Sequence, residues 1–132
     1  MSLALSATLR TGFDEAIERT RAALADQGFG ILTEIDMCAT LKTKLDVDME
    51  DYRILGACNP GLAHRAVGID RQIGLLLPCN VVVRRDPQDA DTIHVEAMNP
   101  ALLVQVTGEP ELGAVAAEAT ARLEAALKSL SR

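Results

Sequence analysis

A chain of 132 residues with 48% apolar residues is the length of one domain and carries enough hydrophobic surface for one continuous core. Its net charge of −6 opposes binding to polyanions, and three aromatic residues (Phe13, Phe29, Tyr52) without tryptophan give no base-stacking platform, so nucleic acid is excluded as a partner. No apolar run reaches the roughly 20 residues a membrane helix needs, and the longest, residues 73–83, is interrupted by Pro78 and Asn80, so no membrane association is expected.

Leu3, Leu5, Ala7 and Leu9 alternate with small polar neighbours, the period of a strand with one apolar face. Thr11 then reads as the N-cap of a helix in which Phe13, Ile17, Thr20 and Leu24 recur at helical spacing, and Gly28 ends it. A second strand follows over 29–35. Asp36 caps a short helix over 37–45, an acidic loop occupies 46–51, and 52–58 is a third strand. Asn59-Pro60 opens another short helix reaching Val67, because asparagine caps well and proline is preorganised for the first turn.

Residues 75–78 and 80–85 form an interrupted extended segment, and a turn over 86–89 leads into a strand over 91–97, an antiparallel hairpin. Asn99-Pro100 repeats the cap-then-proline device for a single turn through Leu103. From Pro110 onward, Leu112, Val115, Ala116, Ala119, Leu123, Ala126, Leu127 and Leu130 make the longest apolar stripe of the chain. The expected fold is a two-layer α+β domain spanning 1–132, in the order β-α-β-α-β-α-β-β-α. Two long helices cover one face of a sheet of about five strands. A parallel pairing around the first helix, combined with the closing hairpin, would make that sheet mixed.

Three cysteines, Cys38, Cys58 and Cys79, are an odd number without Cys-x-x-Cys spacing, which excludes a disulfide framework and a zinc ribbon. The first residues show no basic stretch followed by an apolar one, so a cytoplasmic location is expected. Cys58 stands at a strand end just before a helix start, where free amides favour a thiolate, and His64 follows about one turn later. The plainer reading makes Cys58 a small packed residue and His64 a surface one. Pro78-Cys79-Asn80 is a second cysteine–asparagine pair, and a bulge at Pro78 would turn it toward the first. Asn59 and Asn80 serve equally well as partners for loop backbone.

Glu34, two residues before the Asp36 cap, is placed at the same end of the sheet if the strand directions allow. The candidate cleft is therefore Cys58, Asn59, His64, Cys79, Asn80 and Glu34. Two thiols and one imidazole leave a metal shell incomplete, and no fourth ligand among His94, Glu34 and Cys38 can be assigned, so neither a metal nor a cofactor is expected. His94 and Glu96 share a strand face and read either as an acid–base pair or as a solvated face paired with Arg84. Serine-triad, phosphate-loop and His-Glu-x-x-His patterns are absent, and Gly28-x-Gly30 precedes a strand rather than a helix, so it is no dinucleotide fingerprint.

The segments Gly28-Phe29-Gly30-Ile31-Leu32-Thr33-Glu34-Ile35-Asp36, Tyr52-Arg53-Ile54-Leu55-Gly56-Ala57-Cys58-Asn59-Pro60, Leu62-Ala63-His64-Arg65-Ala66, Ile73 to Val83 and Ala97-Met98-Asn99-Pro100, in that order along nearly the whole chain, resemble the domain-of-unknown-function family 302. Gly61, where a bulkier residue is expected, and Cys38 are the departures. The resemblance implies a small bacterial or archaeal α+β domain, often a homodimer, and brings no reaction with it. Three functions remain open: a small dimeric binding domain with a small-molecule ligand in a polar cleft at Cys58 and Cys79, a thiol-dependent enzyme or redox or sulfur carrier using Cys58, and a dimerisation module without a ligand.

Overall fold

The computed structural model describes residues 2–131. Its elements are β1 (Ala4–Leu9), α1 (Phe13–Asp26), β2 (Gly30–Asp36), α2 (Met37–Leu45), β3 (Tyr52–Cys58), α3 (Pro60–Ile69), a 3-10 helix (Arg71–Leu76), β4 (Cys79–Arg85), β5 (Ile93–Met98), α4 (Ala101–Thr107), a 3-10 turn (Pro110–Leu112) and α5 (Gly113–Leu130). The α+β class and the five strands agree with the sequence reading.

The sheet order is β1-β5-β4-β3-β2, and every neighbouring pair is antiparallel, which corrects the expected mixed sheet. β1 and β2 do run in the same direction. However, α1 carries the chain from one edge of the sheet to the other, and three antiparallel strands fill the space between them. β1 pairs instead with β5, Ala7 opposite Val95.

One face of the sheet is covered by α1 and α5. Phe13, Ala16, Ile17, Ala23 and Leu24 of α1 and Leu123, Ala126, Leu127 and Leu130 of α5 pack on Leu55, Val81, Val83, Ile93 and Val95. These strand residues alternate with outward ones, as period-2 side-chain geometry requires. The opposite face is left open: Ile54, Val82 and Met98 are half-buried there, and Ile35 is exposed.

Three local departures from the sequence reading bear on the site. The helix cap at α1 falls on Gly12, while the Thr11 hydroxyl donates to Glu15. Residues 75 and 76, expected to extend, instead end a 3-10 helix over Arg71–Leu76, which starts where Asp70 Oδ1 accepts the Gln72 N–H at 2.9 Å. Pro78 thus precedes β4 and stays outside the ladder, which lets β4 sit centrally between β3 and β5. Beyond Asn99, whose Oδ1 accepts the Ala101 N–H at 3.1 Å, the single expected turn continues as the two turns of α4, ended by Gly108 at φ +70°. Leu62, Ala66, Ile73, Leu103, Leu112 and Val115 form a second, smaller core that closes one end of the sheet.

Candidate functional site

That smaller core meets the sheet where β3 ends and β4 begins. Asn59 turns the chain out of β3 into α3: its Oδ1 accepts the Leu62 N–H at 3.1 Å, and Pro60 occupies the first turn. This satisfies one of the orphan amides at the helix start and fixes the direction of the backbone at Cys58. A second contact pins the same turn. Gly28 has φ +84°, and a Cβ there would lie 2.9 Å from Asn59 Nδ2, so the end of α1 abuts the cap at a distance only glycine permits. Arg122 of α5 donates from Nη1 to the Gln27 carbonyl at 3.1 Å and holds that junction in place.

Cys79 is the first residue of β4 and stands opposite Ala57 on β3. It is 8% exposed, whereas Cys58 is half-buried. Cys58, Asn59 and Cys79 line one cavity of about 30 Å³, roofed by apolar side chains including Phe29, Leu62 and Leu103. Burial pushes the Cys79 thiol up to about 11, with the nearby Cys58 adding to the effect, so Cys79 is a neutral S–H at physiological pH. Cys58 is the more accessible of the two thiols and the one beside a helix N-terminus.

The other residues singled out in the sequence lie elsewhere. His64 is exposed on the outer face of α3, because Leu62 and Ala66, two positions to either side, point into the core. Asn80 follows Cys79 along the strand and therefore faces the opposite, open side, across from Gly56. There it lines a shallow depression of about 290 Å³ with Tyr52, Val82 and Met98. Glu34 pairs across the sheet with Leu55, three residues away from Cys58, and its carboxylate takes Arg21 and, at 3.0 Å, Arg53. His94 and Glu96 do not serve one another: His94 Nε2 lies 2.8 Å from Asp86, and Glu96 is held by both ends of the Arg84 guanidinium at 2.7 and 3.3 Å. Cys38, on α2, donates its thiol proton to the Met49 carbonyl at 3.3 Å.

The pocket contains residues that the sequence reading did not assign to it. Leu103 closes it from α4, and Val115 and Ala119 close it from α5. The available signal was Leu103 itself, an apolar residue on the inner side of a turn opened by Asn99-Pro100. A wider groove of about 610 Å³ runs between α4 and α5, but its lining is mostly small and apolar, with Glu124 as the lone titratable group. Among the described residues, no three of His, Cys, Asp and Glu stand close enough to share a metal ion, and no helix is long and apolar enough to cross a membrane.

The family model described as "Domain of unknown function DUF302" matches residues 5–130. A crystal structure of an uncharacterized conserved protein DUF302 from Bacillus stearothermophilus superposes with a TM-score of 0.87 at 30% identity, covering 97% of this chain and 98% of that one. No curated protein matches the chain.

Proposed function

Because the chain belongs to the DUF302 family, whose description names no reaction, we propose from the site itself that the protein is a small binding domain that receives its ligand at Cys58. The observation that carries this reading is that Cys58, Asn59 and Cys79 all line one small cavity at the joint of β3, α3 and β4. Metabolite pockets measure roughly 300–1,000 Å³. A cavity of about 30 Å³ therefore takes a small group, not a whole metabolite.

A second reading, thiol chemistry at Cys58, is favoured by one further point. Cys79 holds its proton well above neutral pH, so of the two pocket thiols Cys58 is the one available as a nucleophile. The three free thiols suit a reducing compartment such as the cytosol. Dimerisation through the open sheet face is supported by its apolar residues Ile35, Ile54 and Val82.

Differential alkylation with peptide mapping tests the site. With Cys38→Ser as background, native protein is expected to label at Cys58 within minutes and at Cys79 only after unfolding. Equal labelling of the two, or a Cys58 as inert as Cys79, removes the basis for placing function there. For the dimer, Ile54→Glu is expected to convert a two-chain particle to one chain in light scattering. A parent protein that already scatters as a single chain ends that part of the proposal.

A further inference from the structure

The two edges of the sheet are built differently. β2 is guarded: its register against β3 shifts between Ile31 and Thr33, and the carboxylates of Glu34 and Asp36 stand along it, held by Arg21 and Arg53. Bulges and charges are the ordinary devices that keep a strand edge from pairing with another chain. β1 has neither. It runs in unbroken register from Ala4 opposite Met98 to Leu9 opposite Ile93, and residues 2–9 contain no charged side chain and no proline.

The register fixes which main-chain groups of β1 face outward. The Asn99 N–H donates to the Leu3 carbonyl at 2.9 Å, which makes Leu3 and Asn99 a hydrogen-bonded pair, and alternation gives Leu5, Ala7 and Leu9 the same role toward β5. The N–H and C=O of Ala4, Ser6 and Thr8 therefore point away from the sheet. Those of Ala4 are closed by its own neighbour: Ser2 Oγ donates to the Ala4 carbonyl at 2.9 Å and accepts the Ala4 N–H at 3.4 Å. Ser6 and Thr8, both exposed, stay open.

We infer that this edge pairs with the same edge of a second copy, antiparallel about a two-fold axis at Ala7. That register sets Ser6 of each copy opposite Thr8 of the other, so the open groups of both are satisfied as hydrogen-bonded pairs with their hydroxyls side by side. Leu5 meets Leu9 of the second copy on the helix-covered side, beside a groove of about 370 Å³ between β1 and α5. A slip of one residue would set inward side chains against outward ones. Charge favours the same place. At a net −6 the copies repel, so a self-contact belongs on a neutral strip. β1 is uncharged, and the groove beside it holds one acid and one base, Glu124 and Lys128, neither in an ion pair among the described residues. The contact is separate from the open-face one, since Ile54 lies on β3, with β5 and β4 between it and β1.

So short a ladder offsets little more than the cost of association, which sets a Kd on the order of 100 μM. Sedimentation equilibrium of the full chain carrying Ile54→Glu, which removes the open-face contact, follows it from about 10 μM to about 1 mM. Single chains are expected at the low end and two-chain particles at the high end. Ser6→Pro blocks the edge but spares the β5 ladder, which does not use the Ser6 N–H, and Thr8→Lys sets a charge on the edge. Each is expected to raise the Kd at least about tenfold. Unchanged circular dichroism confirms folding, and if Ser6→Pro does not fold, Thr8→Lys alone decides. Oxidising a mixture of Ser6→Cys and Thr8→Cys chains, both in the Cys38→Ser background, reads the register: the expected disulfide joins position 6 of one copy to position 8 of the other. Single chains at the highest concentration, pairing untouched by the edge variants, or disulfides mainly between like positions overturn the inference. The open-face contact is judged apart, by the parent protein at micromolar concentration, so either fails without the other.

Discussion

Gly56→Ala places a methyl group where the structure has no room for one. Gly56 lies mid-strand in β3, flanked by β2 and β4, with Thr33 and Asn80 as its cross-strand partners. A Cβ there would collide with the Thr33 hydroxyl and come within 2.8 Å of the Pro78 ring. Neither neighbour yields easily, as threonine is stiff at χ1 and the proline ring is rigid. Two effects compete. Losing a glycine from the unfolded chain stabilises by about 0.4–1 kcal/mol where the backbone is compatible. Overpacking a tight site destabilises by about 1–3 kcal/mol.

Overpacking wins, for a net loss of about 1–2 kcal/mol, read as a lower urea midpoint at unchanged slope. Thr33→Ala removes the first collision but leaves Pro78, so the loss from Gly56→Ala shrinks by about 0.5–1 kcal/mol in that background. The displacement of Pro78 also moves the residue next to Cys79, so alkylation of native Cys79 should accelerate. A Gly56→Ala protein as stable as its parent, or a loss identical with and without Thr33, refutes this account of the strand.

Asn59→Ala should cost about 1 kcal/mol through loss of the α3 cap, with Asp or Ser at the position restoring most of it in thermal unfolding. Gly28→Ala should lose more than about 1 kcal/mol, because its φ of +84° and the 2.9 Å approach to Asn59 act together, and Asn59→Ala should relieve part of that loss. For Cys79, the folded thiol titrates near 11 against an ordinary value of 9.0. Between those values the unfolded state holds fewer protons than the folded one, so stability is full below pH 9 and falls as pH rises toward 11. The difference in stability between parent and Cys79→Ala should therefore shift by about 2–3 kcal/mol across that window, and parallel pH curves would show that the thiol is not desolvated.

Local signals in the sequence were strong where one residue decides the outcome. Asp36 and Asn59 cap their helices as their type and position require, and the α5 stripe buries the residues its spacing selects. Pairing was not legible, because the period of β1 says which side chains turn inward but not which strand lies beside it. The 83 residues between Leu9 and Ile93 decide that. The same limit applies to the site. Strand alternation places Cys79 and Asn80 on opposite faces once the register is known, and the 100° step of α3 turns His64 away once Leu62 is known to be inside. Glu34 is drawn off by Arg21 and Arg53, a charge pairing that exists only after β2 and β3 align.

The strand order has a further consequence for how the molecule is made. Of the five strands of the sheet β1 is made first, yet its sole neighbour is β5, made last of the five, and Asn99 N–H reaches back to the Leu3 carbonyl at 2.9 Å. During synthesis β2, β3 and β4 can zip together in sequence while β1 waits with both hydrogen-bonding edges bare. A nascent chain stalled before residue 93 holds that strand without its partner, a target for chaperones and for neighbouring chains. The last sheet seam to close thus joins the earliest-made strand of the sheet to the latest-made one.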